Sequence, residues 1–296
     1  MLISEAFEAF EVDELLSENR SPKTVDSYRG TLNSLLRAVG QDIEVAFLSY
    51  IHIIQWKKYM MSCNNSGSHM ASQLRELRRV LTYLQDHRFV SLDPTEIKIP
   101  RFKYNRTAWL TTDEVRRFLG VIENPRDRAL FTCLFSCGGR ISELLSLDRN
   151  SIVDGMALVW GKGKQKGKDE PSKLEFDDNA LLILEKYVET RTDNLPFLFP
   201  SPQKSPITGK RERFTVKSCD LLAHKYAHRA KIDKRVTTHV CRHTFATDLE
   251  MNGADLNTIR KQLGHKKLET TKIYSHASET RERDKYDKYH TPVPTD

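Results

Sequence analysis

Leucines recur at positions 74, 77, 81 and 84, a three-and-four spacing that returns each side chain to one stripe of an α-helix. The same period runs through most of the chain and dictates a mainly α fold. Residues 3–18 carry Phe7, Phe10 and Leu15 among acids. Ser21-Pro22 opens a helix bearing Val25, Tyr28, Leu32, Leu35 and Leu36. A third helix, 51–61, has Ile54 and Trp56 as its apolar side, with Lys57 and Lys58 exposed. The fourth, 69–87, carries the leucine stripe and sets Arg75, Arg78 and Arg79 off it. Those arginines form either a solvated face or a face turned to nucleic acid. Residues 1–92 therefore read as a helical domain. The following stretch, with Asp93-Pro94 and Ile99-Pro100, is extended and Pro-marked, so 93–107 reads as a linker.

A second domain is expected over 108–296. Thr111 and Thr112 cap a helix that runs to Gly120, and Asp113-Glu114 suit its positive end. Residues 125–137 form a long apolar helix, which Gly138-Gly139 breaks before 141–147 resumes. Met156–Trp160 and Lys173–Phe176 read as two strands around a Gly/Lys-rich turn. Helices follow at 178–192, 214–230, 239–252, 255–264 and 268–275, with a charged tail from about 277. The expectation is a mixed α+β domain with a small antiparallel sheet.

Charge narrows the function. The whole chain is net +7, but residues 1–44 are net −5, 45–105 net +5 and 106–296 net +7. A basic zone that begins near residue 45 favours an anionic partner. Five cysteines at unpaired spacings read as free thiols in a reducing compartment. The acidic start Met1–Leu16 lacks the pattern of a signal peptide, and no apolar run approaches the roughly 18 residues of a membrane span. A cytoplasmic protein is expected, and a metal or redox centre lacks ligand spacing.

Three clusters carry the chemistry. Gly139-Arg140-Ile141-Ser142-Glu143-Leu144 opens a helix after a glycine break. His239-Val240-Cys241-Arg242-His243 opens another. Leu263-Gly264-His265 is followed nine residues later by Tyr274. Between the first two lies Gly161-Lys162-Gly163-Lys164-Gln165-Lys166. Each is weak alone; an arginine at a helix start is usually a surface ion pair, and a lone histidine is usually structural. The ordered set is far more demanding.

In that order the sequence resembles the tyrosine recombinases, the site-specific DNA recombinase and integrase family, in the size range of its compact Xer-type and transposon-resolvase members. The motifs cover roughly 108–276. The resemblance implies that 1–92 is the core-binding DNA domain and that the two domains clamp a duplex. It implies that Arg140, Lys162, His239, Arg242 and His265 are catalytic and that Tyr274 is the nucleophile. It also implies a homo-tetramer on two recombination sites, a Holliday-junction intermediate, and in some members a partner recombinase or accessory protein. No metal, ATP or other cofactor is expected.

The chemistry of these side chains agrees. Cutting DNA while keeping the bond energy needs a nucleophile on the protein. A phenol of pKa about 10 needs a proton acceptor and a cationic site. Two guanidiniums can fork onto the non-bridging oxygens of the transition state. His239 and His265 can hydrogen-bond the same phosphate, His239 also serving as base, and Lys162 can protonate the departing 5′-oxygen. Lys164, Lys166 and Lys168 compete for that last role or contact phosphates. Glu143 either positions Arg140 or His239 or is an exposed helix acid. His243 reads as structural, and Trp109, Tyr286 and Tyr289 as packing or surface residues. DNA contacts are expected from Arg75, Arg78, Arg79, Lys57, Lys58, Lys164 and Lys166. Gly139 stands where the family commonly has Gly-Leu-Arg, which would loosen Arg140. Two other readings remain open: a type IB topoisomerase-like strand transferase, and a DNA-binding protein that is inactive or partner-dependent.

Overall fold

The computed structural model describes residues 1–100, 108–161 and 170–264. The chain divides into two compact units, Met1–Asn105 and Arg106–Asp296.

The first unit is all helical: α1 Ile3–Phe10, α2 Pro22–Val39, α3 Tyr50–Ser62 and α4 Gly67–Asp86. α1 runs on into a π-helical turn, Glu11–Leu16. Pro22 begins α2 at the one place where a missing N–H costs nothing, and the Ser21 hydroxyl accepts from Thr24 N. α2 stops at Gly40 in the left-handed conformation (φ 83°). Leu74, Leu77, Leu81 and Leu84 are all buried, as the stripe predicts. They share a core with Phe10, Leu35, Ile53, Trp56 and Met60. On α3 the buried set is Ile53, Trp56 and Met60, so Ile53, not Ile54, faces inward. Trp56 is fully buried, and its indole N–H donates to Ser34 Oγ at 2.9 Å.

The second unit contains α5 Thr112–Gly120, α6 Pro125–Cys137, α7 Ile141–Leu145, α8 Asp178–Glu189, α9 Val216–Arg229, α10 Thr238–Met251 and α11 Leu256–Leu263. Three strands, β1 Ile152–Val153, β2 Met156–Val159 and β3 Ser172–Glu175, form an antiparallel sheet in that order. In it Ala157 faces Leu174 and Val159 faces Ser172. α6 is buried nearly all round, with Leu130, Phe131, Cys133 and Leu134 fully inside. Such a helix can only be central, and α8 and α10 pack on it.

Four details depart from the sequence expectations. β1 adds a strand ahead of the two foreseen. A second antiparallel pair, β4 Pro200–Lys204 with β5 Arg211–Arg213, occupies a stretch to which the sequence assigns no element. α8 ends at Glu189 because Thr190 N–H and Arg191 N–H turn back to the carbonyls of Tyr187 and Val188. α9 begins at Val216, capped by Thr215 Oγ1 accepting from Ser218 N. The expected helix 268–275 and the charged tail lie outside the described residues.

Candidate active site

α6 ends on Gly138, whose φ of 57° is the left-handed conformation that favours glycine. A Cβ there would run into the Phe245 ring of α10. The chain then turns through buried Gly139 into Arg140, the N-cap of α7. Glu143, in the first turn of α7, is buried. Its Oε2 accepts from Arg140 N at 2.9 Å and its Oε1 from Arg140 Nη1 at 2.7 Å. Of the alternatives for Glu143, the structure has it gripping Arg140 at both backbone and guanidinium. Arg140 keeps 40% of its side chain exposed.

Arg242 is held differently. It lies on α10 at 3% exposure. Nη1 donates to Gly138 O at 2.9 Å and Nη2 to Leu263 O at 2.6 Å. Those carbonyls belong to the C-terminal ends of α6 and α11, where helix carbonyls lack intrahelical donors and the helix dipole is negative. Two helix ends thus converge on one guanidinium.

His239 starts α10. Thr237 caps the helix, its Oγ1 accepting from Val240 N. Asp220 of α9 adds a second clasp: its Oδ1 accepts from Thr238 N at 2.9 Å and from Thr238 Oγ1 at 2.7 Å. Part of the His239 ring is open to solvent. Burial of the remainder, then the charges of Arg242 and Arg140, hold its pKa below the ordinary histidine value, while Asp220 pulls upward. The shift favours the neutral imidazole, the form able to accept a proton. His243, one turn on, is buried, and its ring lies 6.2 Å from that of His239 at 85°. Burial and then the charge of His239 bring its pKa down to about 4.

The structure thus brings together Arg140, Glu143, His239 and Arg242. Gly161 joins them: a Cβ on it would lie 2.7 Å from Glu143 Oε1 and 3.8 Å from Arg140 Nη1. Lys162, Lys164, Lys166, Lys168, His265 and Tyr274 lie outside the described residues. Among the described residues no group of three His, Cys, Asp or Glu side chains is placed to hold a metal ion. Sequence reasoning missed Asp220 and Gly161. Asp220 had no signal, since it acts on a residue 18 positions away through an N-cap. Gly161 had one, the glycine directly before a motif lysine.

The arginines of α4 lie in the first unit. Arg75 is exposed. Arg78 donates to the Ile97 carbonyl. Arg79 pairs with Glu14 at 3.1 Å and Glu18 at 3.0 Å, and its guanidinium stands 5.8 Å from the Phe10 ring centroid. Lys58 is exposed, but Lys57 is not, contrary to expectation. Lys57 is half-buried because its Nζ reaches the Lys98 carbonyl at 3.1 Å. Burial, then the nearby charge of Lys98, lowers its pKa.

The phage integrase family matches residues 108–281, more than half of the chain, and the protein belongs to that family of tyrosine recombinases. Tyrosine recombinase XerA of Pyrococcus horikoshii is 30% identical over 221 residues, 74% of this chain and 73% of the relative. Tyrosine recombinase XerD of Staphylococcus haemolyticus is 26% identical over 309 residues, 98% of both chains. Among solved structures, the Tn1549 transposon integrase in complex with transposon right end DNA superposes with a TM-score of 0.79 at 16% identity, covering 98% of this chain and 99% of that one. That likeness concerns the fold. The protein is accordingly a DNA recombinase, an enzyme of site-specific DNA recombination. No helix among the described residues is long and apolar enough to cross a membrane.

Proposed function

We propose that the protein cuts and rejoins DNA strands at specific sites through a 3′-phosphotyrosyl intermediate, with Tyr274 as nucleophile. The observation that carries this reading is the convergence of two arginines from separate elements, Arg140 and Arg242, beside His239, whose pKa burial and these two charges lower. The Tyr274 oxygen attacks phosphorus as its proton passes to His239. The negative charge that grows on the non-bridging oxygens is met by the two guanidiniums and by His265. The P–O5′ bond breaks and Lys162 supplies the proton that makes the 5′-hydroxyl. Attack by the 5′-hydroxyl of a partner duplex reverses these steps and reseals the strand. Two such exchanges pass through a Holliday junction, in a tetramer of this chain on two sites in the cytoplasm.

The first unit, Met1–Asn105, serves as the second DNA-binding domain, and Ile97 of the expected 93–107 linker is buried in its core rather than extended between domains. Arg75 and Lys58, exposed on α4 and α3, supply phosphate contacts there. Binding accordingly weakens steeply with salt.

The test uses nicked duplexes selected by the protein itself. Loss of the short 5′-hydroxyl fragment beyond the nick prevents resealing. Wild type gives an SDS-stable adduct and Tyr274→Phe gives none. An adduct that survives Tyr274→Phe moves the nucleophile to Tyr286 or Tyr289. Tight specific binding without any adduct returns the inactive or partner-dependent reading. Relaxation of supercoils without joining of two sites would instead favour a topoisomerase-like transferase.

A further inference from the structure

Gly139 precedes Arg140 and is buried. Its φ is not in the left-handed region, so the backbone does not ask for glycine there. The surrounding space does. A Cβ on Gly139 would lie 2.7 Å from Leu174 Cδ2, 3.4 Å from Leu174 Cδ1 and 3.3 Å from Cys137 Sγ. Leu174 is the buried residue of β3, paired with Ala157 and only 2% exposed, so its isobutyl group has little room to withdraw. Real Cβ atoms do not approach within 3 Å of a packed methyl, and overpacking of this kind displaces side chains or backbone.

We propose that Leu174 is a positioning residue for Arg140. Its side chain fills the volume that a larger residue at 139 would take, and pins the Gly138–Arg140 turn against the sheet. The inference rests on Arg140 acting at the phosphate. It deepens that reading by naming what keeps the arginine in place despite the glycine beside it.

A second contact acts in the same sense. Gly161, just beyond β2, is buried, and its φ is likewise not left-handed. A side chain there would strike Glu143 Oε1, the atom that accepts from Arg140 Nη1. Gly161 therefore packs on the partner of the guanidinium, while Leu174 from β3 packs on the backbone. α7 has only five residues, too few to hold a shape alone. The sheet supplies the rigidity that the helix lacks. Leu174 and Gly139 are 35 positions apart and neither carries a polar group, so only packing links them to the chemistry.

The experiment is a volume exchange in the full-length chain. Gly139→Leu, Leu174→Ala and the double variant are compared in single-turnover cleavage of nicked duplex at saturating protein. DNA affinity and thermal unfolding are measured in parallel, and Arg140→Ala is the control. Each single change is expected to slow cleavage about 10- to 100-fold, since a displacement near 1 Å costs that much. Affinity stays within about twofold, and the double variant returns to within about fivefold of wild type through coupling of contacting sites. A purely structural Leu174 would leave cleavage at wild-type rate well below the unfolding temperature, which overturns the inference. So does a double variant as slow as the product of the singles. If the singles do not fold, Gly139→Ala with Leu174→Val repeats the exchange at smaller amplitude under the same criteria. Wild-type cleavage by Arg140→Ala overturns the reading of Arg140, and the inference with it. Loss of cleavage in Arg140→Ala without rescue in the double variant overturns the inference alone.

Discussion

In the first unit Arg79 meets two carboxylates, Glu14 and Glu18, at 3.1 and 3.0 Å. In the second unit Arg242 meets two carbonyls, Gly138 O and Leu263 O, at 2.9 and 2.6 Å. Both guanidiniums are fixed in direction, but the electrostatic results are opposite. Carboxylates cancel the charge they hold, so an approaching phosphate must displace them. Carbonyls satisfy N–H donors as dipoles and carry no formal charge of their own to cancel the guanidinium's. Arg140 stands between the extremes, with one carboxylate and a partly exposed head. Arg79 ties α4 to the acidic segment that follows α1, while Arg242 ties α10 to the ends of α6 and α11.

The sharpest way to break this contrast is Arg242→Ala. Cleavage should fall by about 10³-fold, the scale of removing a transition-state donor. Thermal stability should also fall by about 1–3 kcal/mol, because two buried carbonyls lose their donors. Arg242→Lys, which keeps charge but not the fork, should recover only part of the rate in the same single-turnover assay.

Next in size is a pair of glycine changes. Gly138→Ala meets both a left-handed φ of 57° and the Phe245 ring. It should cost about 2–4 kcal/mol in a denaturant titration and shift the carbonyl that holds Arg242. Gly40→Ala has φ 83° but nothing within 4 Å of a new Cβ. It should cost about 1 kcal/mol, backbone strain alone. Equal losses would mean that Phe245 gives way and that the carbonyl is less firmly set than its packing implies.

A smaller effect concerns pH. Burial, then the charge of His239, holds the pKa of His243 at about 4, against an ordinary 6.5. The unfolded imidazole takes up a proton below about pH 6.5, while the folded one resists until about 4. Stability should therefore fall as pH drops through that window, by at most about 3 kcal/mol, and this contribution should level off below pH 4. His239, lowered in the same direction, adds to the slope. Unfolding measured across pH 4–7 should be flatter for His243→Asn.

The smallest effect separates arginines on α4. Arg75→Ala should lower the slope of log affinity against log salt by about one phosphate contact. Arg79→Ala should leave that slope unchanged and cost no more than about 1 kcal/mol of stability, since its ion pairs are at the surface. A slope change with Arg79→Ala would show that DNA displaces Glu14 and Glu18, and would blur the contrast between the units.

Much of the helical framework is written in side-chain period. The stripe 74, 77, 81 and 84 and the apolar block of α6 read correctly because burial selects residue type at every turn. Gly138 announced its break because few residues tolerate a left-handed φ. The β4–β5 pair did not announce itself, since Pro200 and Pro202 mark a loop as readily as an edge strand. Of the candidate site, the proximity of Arg140, His239 and Arg242 was implied by the family resemblance that the ordered motifs carry. How each is held did not. The partners of Arg242 are backbone carbonyls, which no residue type advertises. Glu143 was visible at three residues' distance, yet its burial was not. The approach of Leu174 to Gly139 was not legible either, because volume is supplied in three dimensions and not by the neighbouring letter.

The cysteines carry a practical consequence. All five lie among the described residues, and four of them, Cys133, Cys137, Cys219 and Cys241, are buried in the second unit. Burial raises the thiol of each, Cys137 and Cys219 to about 12. Cys63, at the end of α3, is exposed. A maleimide dye offered to the folded protein therefore meets one accessible sulfur, and that sulfur sits on the helical unit. The native sequence already contains a single-fluorophore reporter, so the arrival and departure of that unit on DNA can be watched without altering a residue.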